Sequence, residues 1–383
     1  MKVIFTCGGT GGHIYPAVGV AKLLRQRHPD ANILFVGAEG GMETRLVPKE
    51  GFEITAVKVY NLRHSVKPSA LAHNVKSLVS LVGARRQARA ILTGFKPDMV
   101  VGTGGYASYP VTIEAAKLGI PTAAHESNAV PGWTTRMLSG SVDEMMISYE
   151  RSGEYYKKCK SVTLTGTPVR GEFIGRDKAD CLRALGYDDG KPLVLSFWGS
   201  LGARDMNRMI LGCFELEAAD GYPFRHIHAC GKTGYQWMPR ELKLPVETLP
   251  GGIGVTSGSL ELREFIYDMP LMMNAADIVL CRAGASTLAE LCAAAAPSIL
   301  IPSPNVTNNH QDANARVLEE AGASYRMPES ECTGEILYRR IRQLLSERRR
   351  LSAMSENAAN MAILDATERI YTAIMRHITT RKN

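Results

Sequence analysis

Four turns in the sequence bring glycine, hydroxyl, imidazole and carboxyl groups together in a way that suits the chemistry of sugar phosphates. The first, Gly8-Gly9-Thr10-Gly11-Gly12-His13, closes the apolar run Val3-Ile4-Phe5 and leads into Tyr15-Pro16, where proline suits the first turn of a helix. Backbone N–H groups at such a turn face an anion or a sugar, and an imidazole adds the side-chain type that titrates near neutrality. The second turn, Gly102-Thr103-Gly104-Gly105-Tyr106, follows Met99-Val100-Val101, and Pro110 again opens a helix. The third, Gly199-Ser200-Leu201-Gly202-Ala203, offers N–H groups and the Ser200 hydroxyl to a diphosphate. In the fourth, Arg282 to Glu290, the glutamate falls about one helical turn from Ser286 and Thr287, placed to accept hydrogen bonds from a ribose diol. Beyond it, Asn308-Asn309-His310-Gln311 supplies amides that both donate and accept, as sugar hydroxyls require.

Two look-alikes fall away. The dinucleotide fingerprint G-x-G-x-x-G started at Gly9 needs a third glycine where Ile14 stands, and the P-loop ending Gly231-Lys232-Thr233 lacks its upstream glycine, which is His226. The basic runs Arg339-Arg340-Ile341-Arg342 and Arg348-Arg349-Arg350 read as solvated helix faces.

Such turns need elements to hold them. Val3-Ile4-Phe5, Ile33 to Val36, Met99 to Val101 and Thr122 to Ala124 are buried-strand runs alternating with helical patterns, which predicts a parallel sheet covered by helices. After a glycine- and proline-bearing linker, Leu164 to Arg176, the same grammar restarts: Val194-Leu195-Ser196-Phe197-Trp198-Gly199-Ser200 repeats the order of Val3 to Gly9. The expected fold is α/β, two Rossmann-like parallel-sheet domains facing a cleft, with ligands beyond the carboxyl ends of the strands. Expected bounds are 1–164, 165–345 and a helical 346–383 that packs back on either domain.

The length of 383 residues fits two domains, and 45% hydrophobic with 22% charged residues is ordinary for a globular chain. The apolar run after Met1 is too short for a signal peptide, and no run is long enough for a spanning helix. Eight cysteines without C-x-x-C spacing indicate reduced thiols, neither a disulfide framework nor a zinc site, so no metal is expected. The net charge of +7 points to an anionic partner, and the absence of interleaved aromatic and basic residues speaks against nucleic acid.

Taken together the segments resemble the MurG-type N-acetylglucosaminyltransferases, a family that makes lipid II from lipid I, over essentially the whole chain. The resemblance rests on Gly8 to His13, Gly102 to Tyr106, His125-Glu126-Ser127-Asn128-Ala129-Val130-Pro131-Gly132, Gly166 to Arg170, Gly199 to Asn207, Arg282 to Glu290 and His310-Gln311. It implies the glycosyltransferase type B fold, no cofactor, and an inverting transfer in peptidoglycan synthesis, and so a part in cell shape and division. It implies that the second domain binds UDP-N-acetylglucosamine, with Ile266 near the uracil, Glu290 on the ribose, Ser200 and Arg170 on the diphosphate, and Gln311 with His310 on the sugar. The first domain then takes a polyprenyl-diphosphate-linked muramoyl-pentapeptide at Gly104, Gly105, Tyr106, Asn128 and His13. His13 is the expected base, and Thr10, Gly11, Gly12 and Asn128 are also expected to reach the donor. Trp198, Leu201 and Thr167 depart from the Gly, Gln and Asn usual in that family. A polyprenyl tail implies peripheral attachment at the cytoplasmic membrane face. Ala70 to Leu92 suits that role, with Leu71, Val75, Leu78, Val79 and Val82 beside Lys76, Arg85, Arg86 and Arg89; a core-facing amphipathic helix accounts equally for the pattern. The alternatives are another type B UDP-sugar transferase, an epimerase, or a non-catalytic UDP-sugar sensor.

Overall fold

β-branched and apolar runs too short for helices become the strands of two sheets. This computed structural model describes residues 1–60, 68–187, 189–199, 203–242, 246–249, 253–256 and 259–382. The chain forms two units, residues 1–169 with 363–383, and residues 170–362. The chain thus changes unit at 169/170 and 362/363, later than the expected 164/165 and 345/346.

In the first unit β1 (Lys2–Thr6) runs through the first glycine turn into α1 (Gly11–Arg27), followed by β2 (Asn32–Ala38), α2 (Glu43–Lys49) and β3 (Glu53–Val57). Then come α3 (Pro68–Phe95), β4 (Met99–Gly102), α4 (Ser108–Lys117), β5 (Thr122–Glu126), α5 (Trp133–Leu138), β6 (Glu144–Ile147) and β7 (Val162–Leu164). All seven strands are parallel, in the order β3-β2-β1-β4-β5-β6-β7. The order reverses between β1 and β4, so the first two glycine turns lie side by side at the switch point, where open α/β sheets bind ligands. Side chains alternate across β1: Val3 and Phe5 pack with Phe35 and with Ile14, Ala17 and Leu24 of α1. Ile4 faces the other way, toward Val100 and Ala84, Ala88 and Leu92 of α3. One expectation fails locally: α1 begins at Gly11, so Pro16 lies inside the helix rather than opening it. Its missing N–H costs the helix one bond, and its ring is buried.

The second unit opens with α6 (Lys178–Leu185), capped by the Asp177 carboxylate accepting from Asp180 N at 3.0 Å and closed by left-handed Gly186. β8 (Leu193–Phe197), α7 (Arg204–Ala219), β9 (Arg225–Ala229), α8 (Gly231–Tyr235) and α9 (Met238–Glu241) follow. Next are β10 (Val246–Leu249), β11 (Ile253–Thr256), β12 (Leu260–Arg263), α10 (Met269–Ala275), β13 (Ile278–Cys281), α11 (Ala285–Ala293) and β14 (Ser298–Leu300). α12 (His310–Glu320), β15 (Ser324–Arg326), α13 (Gly334–Ser346) and α14 (Arg348–Met361) complete it. The strand order β10-β11-β12-β9-β8-β13-β14-β15 contains six parallel strands and an antiparallel edge hairpin, β10-β11. Here too the order reverses, between β8, which leads to Gly199, and β13, which leads to the fourth turn. Finally α15 (Ala366–Lys382) returns to the first unit, where Ile370, Ala373, Ile374 and Ile378 join the core beneath α1. Arg27–Glu368 at 2.6 Å and His28 Nε2–Tyr371 Oη at 2.9 Å fix its register.

Candidate active site

At the first unit's switch point the two glycine turns interlock. His13 sits in the opening turn of α1, half-buried, and its Nδ1 lies 2.9 Å from the Gly8 carbonyl oxygen. A carbonyl only accepts, so Nδ1 carries the proton and Nε2 is the free lone pair of the neutral ring. The second turn is shaped around this bond. A Cβ on Gly104 would come within 2.7 Å of His13 Cδ2 and 3.0 Å of Nε2, and one on Gly105 within 2.1 Å of Gly8 O. Both glycines also have positive φ, +106° and +81°, which other residues rarely adopt. Thr103 Oγ1 donates to the His13 carbonyl at 2.7 Å, and Ser108 Oγ donates to Thr6 O at 2.9 Å or Gly104 O at 2.6 Å. Tyr106, half-buried beside Gly9, has its phenol pushed up by burial and by the charge of Glu43.

The loop after β5 is tied to one carboxylate. Glu126 Oε1 accepts from Asn128 N and Asn128 Nδ2, both at 2.9 Å; Oε2 accepts from Gly132 N at 2.8 Å and from the Thr135 hydroxyl. Asn128 is thereby held by its own loop. Neighbouring His125 is buried with Nε2 2.8 Å from Gly166 O, and burial, partly countered by that bond, lowers its pKa. It is a packed, neutral histidine bridging β5 to the segment after β7.

The second unit treats its carboxyl differently. Glu290 lies on α11, and burial pushes its pKa up to about 7, with the Arg170 guanidinium pulling against it. Among the described residues none hydrogen-bonds to this carboxyl. Arg170 itself is exposed, its guanidinium 5.2 Å from the Phe173 ring centre. After β14, Gln311 Oε1 accepts from Ser303 N at 2.8 Å, and Asn314 Nδ2 donates to Ala283 O at 3.2 Å, tying α12 to the turn before α11. Asn308 and Asn309, both left-handed at φ +55° and +49°, make the sharp entry to His310. Between β8, β9 and α7 runs a buried polar chain. Ser196 Oγ bonds His226 Nε2 at 2.8 Å and His228 Nδ1 at 2.7 Å, His226 meets Glu217 at 2.8 Å, and His228 meets Asn207 at 3.2 Å.

The structure brings together His13, Gly104, Gly105 and Tyr106 in the first unit, and Arg170 with Glu290 in the second. Thr10, Gly11 and Gly12 open α1 in the first unit. Ile266 is only 3% exposed and offers a ligand little surface, while its neighbours Phe265 and Tyr267 are exposed with ring centres 5.0 Å apart. Ser200 and Leu201 lie outside the described residues. Trp198 packs into the second unit's core, 6.1 Å from the His228 ring, and Thr167 is buried 2.7 Å from Ser148 Oγ. The sequence reading missed Glu43, a buried carboxylate that accepts from Gly9 N at 3.2 Å and Ala38 N at 2.7 Å. Its signal was the glycine cluster Gly37, Gly40, Gly41 just before it, at the end of β2 and in the turn that follows.

Residues 3–147 match the family model described as Glycosyltransferase family 28 N-terminal domain, and residues 193–370 the corresponding C-terminal domain. The UDP-N-acetylglucosamine--N-acetylmuramyl-(pentapeptide) pyrophosphoryl-undecaprenol N-acetylglucosamine transferase of Acetivibrio thermocellus is 41% identical, over 98% of this chain and 97% of its own. The solved structure of Acinetobacter baumannii MurG matches with TM-score 0.76 at 26% identity, covering 98% of this chain and 99% of that one. A UDP-N-acetylglucosamine 2-epimerase structure matches with TM-score 0.63 at 13% identity, over 100% of this chain and 98% of that one, a likeness of fold alone.

Proposed function

The chain belongs to glycosyltransferase family 28, and from that premise we propose that it transfers N-acetylglucosamine from UDP-N-acetylglucosamine to N-acetylmuramyl-(pentapeptide) pyrophosphoryl-undecaprenol. The carrying observation is identity of 41% to a transferase of that name, over 98% of this chain and 97% of that one.

The chemistry assigned to each unit follows from what its groups offer. In the acceptor unit His13 presents Nε2 with a lone pair, because Nδ1 donates to Gly8 O; it takes the proton from the muramoyl 4-hydroxyl as that oxygen attacks the anomeric carbon. Attack opposite the leaving diphosphate inverts the centre, giving a β linkage. Gly104, Gly105, Tyr106 and Asn128 hold the acceptor, and Thr10, Gly11, Gly12 and Asn128 are assigned to the donor as well. In the donor unit Glu290 accepts from the ribose diol, Arg170 and Ser200 take the charge of the departing UDP, Ile266 borders the uracil, and Gln311 with His310 reads the sugar.

A polyprenyl-linked acceptor places the work at the cytoplasmic membrane face. Among the described residues no helix is long and apolar enough to cross a membrane. The surface segment is α3, where Val82, Arg86 and Arg89 are exposed while Ala84, Ala88 and Leu92 face the core. Arg85 is committed to buried Glu114 at 2.5 Å. The side chains of Leu71, Val75, Lys76, Leu78 and Val79 lie outside the described residues.

The test is transfer of radiolabelled N-acetylglucosamine to a lipid I analogue, with formation of the β-linked disaccharide and UDP expected. Epimerised donor without transfer would identify an epimerase, and tight UDP binding without turnover a sensor.

A further inference from the structure

One buried carboxylate outside the roles assigned above is directed at the acceptor turn. Glu43 is fully buried, and its side chain fills the space that Cβ atoms would need at three glycines: they would lie 2.9 Å from it at Gly8, 2.4 Å at Gly37 and 2.3 Å at Gly41. Oε1 accepts from Ala38 N at the end of β2, and Oε2 from Gly9 N at 3.2 Å. The Gly9 N–H and the Gly8 carbonyl are two ends of one peptide group, and that carbonyl accepts from His13 Nδ1 at 2.9 Å. We propose that Glu43 is a positioning residue that acts through the Gly8–Gly9 peptide to hold His13 in its Nδ1-protonated tautomer and make Nε2 a stronger proton acceptor.

The physical basis is polarisation in a low-dielectric chain. A carboxylate on the N–H draws negative charge onto the peptide oxygen, which then binds the Nδ1 proton more firmly and favours the imidazolium formed when Nε2 takes a proton. The arrangement is a carboxylate–imidazole pair with a peptide interposed. Both glycines of the second turn serve it, since Gly105 clears Gly8 O and Gly104 clears the ring. The other titratable groups near this chain are buried His125, whose charged form and that of His13 disfavour each other, Tyr106, raised by burial and by Glu43, and the Cys7 thiol, held protonated by burial and by Glu43. Glu126 lies next to His125 and is committed to its own loop.

The catalytic consequence rests on His13 being the base, and the experiment separates the two. Histidine-labelled protein is titrated by nitrogen NMR, with His13 assigned by the signal lost in His13→Ala. In wild type the neutral ring should carry its proton on Nδ1; a proton on Nε2 would overturn the relay with no variant needed. Glu43→Gln, checked for folding by circular dichroism, keeps the shape but has one acceptor for two N–H donors. The His13 titration should move about one pH unit lower, the size of a charge effect across this distance at intermediate dielectric. The acidic limb of kcat should move with it, kcat should fall several-fold, and UDP affinity should hold. A His13 titration unmoved in the folded variant overturns the proposal. If the ring titration moves while the kcat limb stays, the relay stands and His13 is not the base.

Discussion

In the first unit the carboxylates of Glu43 and Glu126 are enclosed by donors, with backbone N–H groups, an amide and a hydroxyl meeting all four of their oxygens. In the second, Glu290 is half-buried and given no hydrogen-bonding partner among the described residues, and burial raises its pKa to about 7. Both sites use the same strand reversal, so the contrast comes from their turns. Charge satisfied from within makes a site whose geometry is set before a ligand arrives. Charge left over is suited to being completed by a ligand's own hydroxyls.

The largest expected effect sharpens the first half of this contrast. His13→Ala should lower kcat by roughly 10² to 10⁴ fold, the span of general-base removal, with UDP affinity by calorimetry unchanged. A loss confined to acceptor KM would show a binding residue instead. Next, Glu126→Ala should destabilise the protein by about 2–4 kcal/mol in denaturant titration, because it strands N–H donors of the loop after β5. An unchanged unfolding midpoint would break the claim that this carboxylate is structural.

For the second unit, Glu290→Ala should weaken UDP binding by about 1.5–3 kcal/mol, the worth of hydrogen bonds to a charged partner. Equal affinity in the folded variant would remove Glu290 from the ribose. The pH dependence has a definite sign. Between the ordinary glutamate value and about 7 the folded carboxyl keeps a proton that the unfolded chain has released, so this group costs stability increasingly as pH rises through that window. Glu290→Gln should therefore gain about 1–2 kcal/mol at pH 8 and nothing at pH 4, read from thermal or urea unfolding. A variant less stable at pH 8 would mean the carboxylate is satisfied after all. The smallest effect concerns metal: among the described residues no three His, Cys, Asp or Glu side chains converge as ligands, so excess chelator should leave turnover unchanged. Loss restored by magnesium or manganese would overturn that.

Much of the architecture was legible because parallel strands are short β-branched runs and their turns need glycine: β1, β4 and β8 were read from pattern alone, and each adjoins a strand-order reversal. Pro16 was misjudged because residue type marks a helix start only when no stronger signal precedes it, and here the glycine turn had already begun α1. The edge hairpin β10-β11 was overlooked although Pro250-Gly251-Gly252 separates its two runs. Within the site, Glu290 could be read from its place after a strand. Glu126 stood in the His125 to Gly132 motif with no role assigned, and its four accepted hydrogen bonds make it a tie for its own loop. Glu43 escaped because its partners are backbone N–H groups on other elements, which spacing does not display. The Ser196–His226–His228 chain escaped for a related reason: it links adjacent strands whose register no local pattern reveals.

The return of α15 makes the order of synthesis matter. The helix that carries His13 leaves the ribosome before residues 170–362, yet the apolar residues that back it, Ile370, Ala373, Ile374 and Ile378, come after all of them. The later unit is contiguous and free to fold as soon as it has been made, whereas the earlier one must wait with part of its core open. Of the two units, the one begun first is thus closed last, and a nascent chain stalled before residue 363 would hold the His13 helix against its sheet but without Ile370, Ala373, Ile374 and Ile378 on its other side.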